Sequence, residues 1–141
     1  LQAAFILSKS AWPVMCEQGA GSLLFVSSAS AVAGFAGEEA YVPAQHGQEG
    51  LMKVLALAGR QRNVASNSVT PGVPLGAPPP PTSPSEQRCA TLTRVTPELV
   101  APAFRFLAAI DVSFSTGNRL DAHQIARSLA AGAAVAAGGP A

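Results

Sequence analysis

The sequence predicts an α/β fold built on a parallel sheet, and three observations predict it. A helical apolar pattern over residues 1–17 stops at Gly19-Ala20-Gly21 and runs straight into "SLLFVSS", a short continuous apolar run of the kind found in buried parallel strands. A second helical stretch, residues 40–58, is likewise followed by a run bounded by turn residues, "NVASNSVTPG". A third helical pattern, residues 96–107, precedes "STGNRLDA", so the order is α, β, α, β, loop, α, β, which requires parallel strands joined by right-handed crossovers.

Each element has a local reason. In the first helix Ala3, Ala4, Leu7, Ala11 and Val14 recur at helical spacing, and Pro13 is expected to kink the helix or close it early. Trp12 and Phe5 read as packing residues of a core or a subunit interface. Residues 27–37 are a loop of Ser, Ala and Gly, and Glu38-Glu39 stands at the foot of the second helix, where negative charge complements the helix dipole. That helix is expected to bury Leu51, Val54, Leu55 and Ala58, while Ala44 and Gly47 offer a small face to another backbone. Residues 73–85, "VPLGAPPPPTSPS", have no periodicity and read as an exposed extended loop, the proline run 78–81 included. Thr96-Pro97-Glu98 marks the third helix start, with a capping Thr and Pro at the first position; Leu99, Ala103, Phe106 and Leu107 give its buried face. Pro102 inside that helix should cost about 3 kcal/mol if the helix is continuous. Residues 123–141, rich in Ala and Gly, are expected as a weak helix or a disordered tail.

With 141 residues the chain is the size of one ordinary domain. Hydrophobic residues make up 48% and charged residues 12%, a balance that calls for a partner subunit or further chain to cover apolar surface. Nine Lys and Arg against eight Asp and Glu are scattered without a basic run, which argues against nucleic acid as a partner. Cys16 and Cys89 form no C-x-x-C and have no His at metal-ligand spacing, and His46 and His123 are isolated, so no metal site is expected and a reduced, cytoplasmic chain fits best. No segment approaches the roughly 20 apolar residues that span a bilayer, which argues against membrane insertion. The chain starts inside an apolar pattern without an initiator Met, as a fragment would.

In an open parallel sheet ligands gather at the C-terminal ends of strands, and Ser27-Ser28 and Pro71-Gly72 stand at two such ends. The two motifs should face one cleft. Ser28 and Tyr41 are thirteen positions apart, and Gln45 falls one helical turn after Tyr41.

The blocks "GSLLFVSSASAVAG", "AYVPAQHGQEGLMKVLALA", "NVASNSVTPG", "VTPELVAPAFRFLAA" and "SFSTGNRL", in that order, resemble the successive signature segments of the short-chain dehydrogenase/reductase family. The likeness runs from the first residue to about residue 122. It implies the C-terminal half of a Rossmann-like doubly wound sheet, with the glycine-rich dinucleotide loop and the first mononucleotide-binding half absent. It implies hydride transfer between a nicotinamide cofactor, NAD or NADP, and a small alcohol or carbonyl substrate. By the family pattern Ser28 orients the substrate oxygen and Tyr41 is its acid/base, since two donors at a carbonyl oxygen stabilise the charge that develops on it. Pro71, Gly72 and Val73 take the positions of the family's cofactor-binding turn.

Two positions depart from the pattern. The family places Lys four residues after the Tyr, and here Gln45 stands there. A phenol titrates at about 10; an ammonium beside it favours the phenolate and holds the cofactor ribose, and a Gln can bond the ribose without supplying the charge. The family's P-G-x-x-x-T ends at Gly76 in place of Thr. The expected function is therefore an oxidoreductase-family chain with impaired activity; the alternative is a non-catalytic remnant that acts only through subunit association. For either, the family's four-helix interface implies a homo-oligomer through helices 1–17 and 40–58.

Overall fold

The computed structural model describes residues 1–77 and 92–135. Helix α1 spans Gln2–Gln18 and strand β1 Gly21–Val26; a 3-10 turn, Ala29–Ala31, precedes α2, Tyr41–Gly59. A second 3-10 turn, Arg60–Arg62, leads into β2, Val64–Thr70; then come α3, Pro97–Ala108, β3, Arg119–Asp121, and α4, Ala122–Ala130. The three strands lie in the order β1-β2-β3, parallel throughout. The expected α/β fold with a parallel sheet is what forms.

Residues paired across the sheet share a face and successive residues alternate, which sorts the helices. Ser22, Leu24, Ala65, Asn67, Val69 and Leu120 point to one side, where Ser22 Oγ donates to the Leu107 carbonyl of α3 at 2.9 Å. On this side Val69, Val100, Ala103, Leu107, Leu120, Ala122, Ile125 and Ala126 make the buried core between sheet, α3 and α4. Each large side chain fully buried here contributes about 1.5–3 kcal/mol. Phe25, Ser27, Ser66, Ser68 and Arg119 point to the other side, where Ser66 Oγ donates to the Met52 carbonyl of α2 at 2.9 Å. Helices on both faces make the sheet doubly wound.

The turns follow from particular residues. Gly19 ends α1 in the left-handed conformation at φ 62, and the next amide, Ala20 N–H, donates to the Met15 carbonyl. Gly59 lies so close to β2 that a Cβ there would collide with the Val64 carbonyl oxygen, which sets how tightly α2 turns into the sheet. Between β2 and β3 the fully buried Asn67 donates to the Ser115 carbonyl at 2.9 Å and accepts from Asn118 N–H at 3.1 Å and from Ser115 Oγ at 3.2 Å. That network fixes the approach to β3.

Several expectations are corrected. Pro13 does not close α1 early, since the helix continues to Gln18 with the proline on its exposed side. Pro43 lies in the first turn of α2, where its missing N–H would have no helical partner. The buried face of α2 is Met52, Ala56 and Gly59, whereas Val54 is 63% and Leu57 68% exposed. This helix carries apolar residues on two faces, and the close approach at Gly59 decides which one meets the sheet. Gly47 receives the side chain of Leu1 from the same chain. The α1 stripe is outward as well, with Leu7 70% exposed and Ser8 the buried residue. In α3 the inward row is Val100, Ala103 and Leu107, one residue on from Leu99, which is exposed, and Phe106 packs edge-on against Phe114 at 5.3 Å. Thr96 stands at the N-cap without a side-chain cap bond. The backbone N–H of Glu98 and the Thr96 hydroxyl instead hold the Glu98 carboxyl below its ordinary range. Of the Ala/Gly-rich segment, residues up to Ala130 are the helix α4, started by Asp121, whose carboxylate accepts from Gln124 N–H at 2.9 Å. The proline run 78–81 and Cys89 lie outside the described residues; Cys16 is a free thiol. Among the described residues no helix is long and apolar enough to cross a membrane.

Candidate active site

Ser28 and Pro71-Gly72 stand just past the ends of β1 and β2, and Tyr41 and Gln45 stand on α2. Ser28 follows β1 and caps the 3-10 turn: its Oγ accepts from Ser30 N–H at 3.1 Å and its carbonyl accepts from Ala31 N–H at 3.0 Å. Helix α2 packs against this turn. Ser30 Oγ donates to Glu38 at 2.7 Å, and the Glu38 carbonyl accepts from Val42 N–H at 2.9 Å, so the segment entering α2 is tied to the turn that carries Ser28. Tyr41 is the first residue of α2, 48% exposed, and its hydroxyl has no hydrogen-bond partner among the described residues. Ser28 and Tyr41 are thus on elements in contact, without a hydrogen bond between them.

Gln45 lies one turn further along α2. Among the described residues its buried Oε1 has no hydrogen-bond partner, which makes it an orphaned acceptor one helical turn after Tyr41. Next, Gln48 Nε2 donates to the Val26 carbonyl at 2.7 Å, and Glu49 accepts from Ser27 Oγ at 2.5 Å and from Ser68 Oγ at 2.8 Å. Residues 41, 45 and 49 repeat every four positions and share one helix face, which continues into the buried Met52, Ala56 and Gly59.

The Pro71-Gly72 turn closes β2 beside β3. Gly72 has φ +78, and a Cβ there would strike the Asp121 carboxylate, so only glycine fits. Val73 is half-buried, and the loop behind it is clamped: Gly76 N–H donates to the Val95 carbonyl at 2.9 Å, while Arg94 Nε and Nη2 donate to the carbonyls of Gly76 and Leu75 at 2.6 and 2.7 Å. Gly76, at φ +67, occupies the position of the family Thr. An open hollow along α4, lined by Asp121, His123, Gln124, Arg127 and Ser128 among others, contains none of Ser28, Tyr41 and Gln45. Among the described residues no three His, Cys, Asp or Glu side chains are close enough to hold a metal ion.

Glu49 and Arg119 were missed by sequence reasoning. Arg119 Nη2 donates to the Ser28 carbonyl at 2.9 Å, and its Nε lies 3.4 Å from Ser27 Oγ and 3.9 Å from Glu49 Oε1. The four-residue repeat from Tyr41 through Gln45 to Glu49 would have flagged the glutamate. A charged residue within a predicted strand was the only signal for Arg119.

Parallel strands with helices on both sheet faces define part of a Rossmann-like doubly wound fold. Comparison with known proteins agrees. The family model described as enoyl-(acyl carrier protein) reductase matches residues 1–124. The chain is 31% identical over 123 residues to the 3-oxoacyl-(acyl-carrier-protein) reductase FabG of Thermotoga maritima, covering 83% of this chain and 50% of that protein. It is 40% identical over 72 residues to the uncharacterized oxidoreductase YxjF of Bacillus subtilis, covering 51% of this chain and 28% of that one. Among solved structures, a Beutenbergia cavernae protein assigned as an NAD(P)-dependent gluconate 5-dehydrogenase, with NADP bound at low occupancy, superposes with a TM-score of 0.73 at 25% identity, covering 92% of this chain and 54% of that chain. The chain belongs to the short-chain dehydrogenase/reductase family. It spans about half the length of that structure and of the Thermotoga reductase.

Proposed function

We propose that this chain carries the substrate-oxygen half of an NAD(P)-dependent oxidoreductase that interconverts a small alcohol and its carbonyl. The observation that carries the reading is the contact between the Ser28 turn and the helix that begins at Tyr41. Ser28 Oγ, accepting from Ser30 N–H, keeps its own proton free to donate to a substrate oxygen. Tyr41, whose hydroxyl has no hydrogen-bond partner among the described residues, donates or accepts the proton at that same oxygen. The residues fit a nicotinamide ribose at one point, because the orphaned Gln45 Oε1 would accept from a ribose hydroxyl. Pro71, Gly72 and Val73 would border the nicotinamide end. The bound cofactor supplies the hydride. Gln45 holds without charging, so the phenol works without the ammonium that the family places beside it, and turnover is expected to be low. A cytoplasmic setting goes with a free Cys16 thiol.

NADPH-dependent reduction of a panel of small carbonyls, by the chain fused to a related nucleotide-binding half, tests the reading. Tyr41→Phe should lower turnover by at least about 10²-fold, and Gln45→Lys should raise it in the wild-type background but not beside Tyr41→Phe. Retained activity in Tyr41→Phe would remove the tyrosine from its assigned role.

One observation favours a second reading, association without catalysis. Phe5, Ile6, Leu7 and Val14 of α1 and Val54 and Leu57 of α2 are large, apolar and exposed, on the two helices expected to pair with a second copy. Sedimentation of Leu7→Glu and Leu57→Glu should show a smaller species than wild type. Calorimetric titration with NADH and NADPH separates the readings, since binding is needed only by the enzyme.

A further inference from the structure

Behind Ser28, residues from or next to all three strands meet α2 in one polar hub. Glu49, its side chain 13% exposed, gives one oxygen to Ser27 at the end of β1 and the other to Ser68 of β2. Arg119, its side chain 29% exposed, comes from β3 and reaches both Ser27 Oγ and the Ser28 carbonyl. The guanidinium and carboxylate approach no closer than 3.9 Å, so the pair is not a bidentate bridge. Its hydrogen bonds run outward, to the backbone of Ser28 and to the hydroxyls of two strands.

We propose that Glu49 and Arg119 are positioning residues that hold Ser28 in register with the α2 face bearing Tyr41 and Gln45. The inference rests on the reading that Ser28 and Tyr41 meet at one substrate oxygen. Tyr41 and Glu49 lie two turns apart on α2, about 12 Å along its axis, so anchoring Glu49 to the strand ends fixes where the tyrosine can stand. Arg119 completes the fix from the opposite element, because the Ser28 carbonyl it grips is the one that also accepts from Ala31 N–H. Reacting groups tolerate little error, and a misplacement of about 1 Å can cost about 10² in rate. Two elements bound only by apolar contact would leave that distance to side-chain packing.

Native-state hydrogen exchange with NMR detection on the purified chain, together with steady-state kinetics, tests it. Arg119→Met should speed exchange of the Ser30 and Ala31 amides about tenfold while Val64–Val69 amides keep their wild-type rates, the mark of a local opening. Arg119→Lys, which keeps the charge and one donor, should fall between the two and carries the comparison if Arg119→Met does not fold. Glu49→Gln should speed the same two amides. In the chain fused to a related nucleotide-binding half, with a carbonyl substrate, Arg119→Met and Glu49→Gln should lower kcat about tenfold and leave KM for the nucleotide unchanged. Unchanged exchange at Ser30 and Ala31, or equal acceleration throughout β2, overturns the inference. A wild-type fusion that binds the nucleotide but shows no turnover overturns the oxidoreductase reading alone, because the exchange result stands without it.

Discussion

Asn67 gives the sharpest test of what holds the sheet. It is fully buried, and its amide makes three hydrogen bonds, donating to the Ser115 carbonyl and accepting from Asn118 N–H and Ser115 Oγ. In Asn67→Ala the Ser115 carbonyl and the Asn118 N–H lose their partner, and the Ser115 hydroxyl loses the acceptor of its proton while still accepting from Asn118 Nδ2 at 3.0 Å. Each buried group left unsatisfied costs about 1–3 kcal/mol, so the variant should lose about 3–5 kcal/mol, among the largest effects expected of one substitution. A domain of this size has a total of about 5–15 kcal/mol. Asn67→Asp separates shape from chemistry. It keeps the acceptor for Asn118 but sets an anionic oxygen against the Ser115 carbonyl, so it should be at least as damaging at pH 7. Burial raises the pKa of such a carboxyl; its protonated form can donate as the amide did, and stability should return as pH falls through that raised value. Urea denaturation followed by circular dichroism at pH 7 and pH 5 measures both. A loss under about 1 kcal/mol for Asn67→Ala, or an Asn67→Asp variant as stable as wild type at pH 7, would refute the network argument.

Three further outcomes are expected. Gln45→Met removes the orphaned buried oxygen and should stabilise the chain by about 1 kcal/mol in the same denaturation assay; a loss of stability would show that the oxygen has a partner in solution. Gly72→Ala should destabilise by at least about 1 kcal/mol, since its φ of +78 and the Asp121 carboxylate both oppose a Cβ. The Asp111 carboxyl is held below its ordinary range by bonds from the Ser113 hydroxyl and N–H and the Phe114 N–H. A depressed folded pKa means the turn gains from the ionised form above the ordinary aspartate value and loses it as pH falls through the lower one. The Ser113 amide shift should therefore titrate below the ordinary value, and a midpoint at or above it would contradict the assignment.

The order of elements was legible because each has a local cause. Gly19 ends α1, an apolar run makes β1, and Pro71-Gly72 stops β2. Ser28, Tyr41 and Gln45 stood out through spacing and the family resemblance, and the structure places Ser28 at the head of the turn after β1 and the other two on the helix that packs against that turn. What could not be read was which of two apolar faces a helix turns inward. In α2, Leu51, Val54, Leu55 and Ala58 form the more hydrophobic row, yet the inward row is Met52, Ala56 and Gly59, chosen by the clearance at Gly59 and by Glu49 reaching the strand ends. Glu49 looks in sequence like a solvated helix charge. Its role depends on Ser27, Ser68 and Arg119, which only the fold brings to it.

The parallel ladder also has a kinetic consequence. Asn63 Nδ2, just before β2, bonds the Gly19 carbonyl before β1 across 44 positions, and Asn118 N–H bonds Asn67 across 51. Among the described residues no strand pairs with a near neighbour in sequence, so the described sheet has no hairpin to nucleate it, and each pairing must first close a long loop. Nucleation then falls to the helices and to the apolar contacts between α3 and α4, and the strands join late. A nascent chain spends that interval with unpaired strand edges in reach of other copies, so refolding yield should fall as protein concentration rises even when the folded state is unchanged.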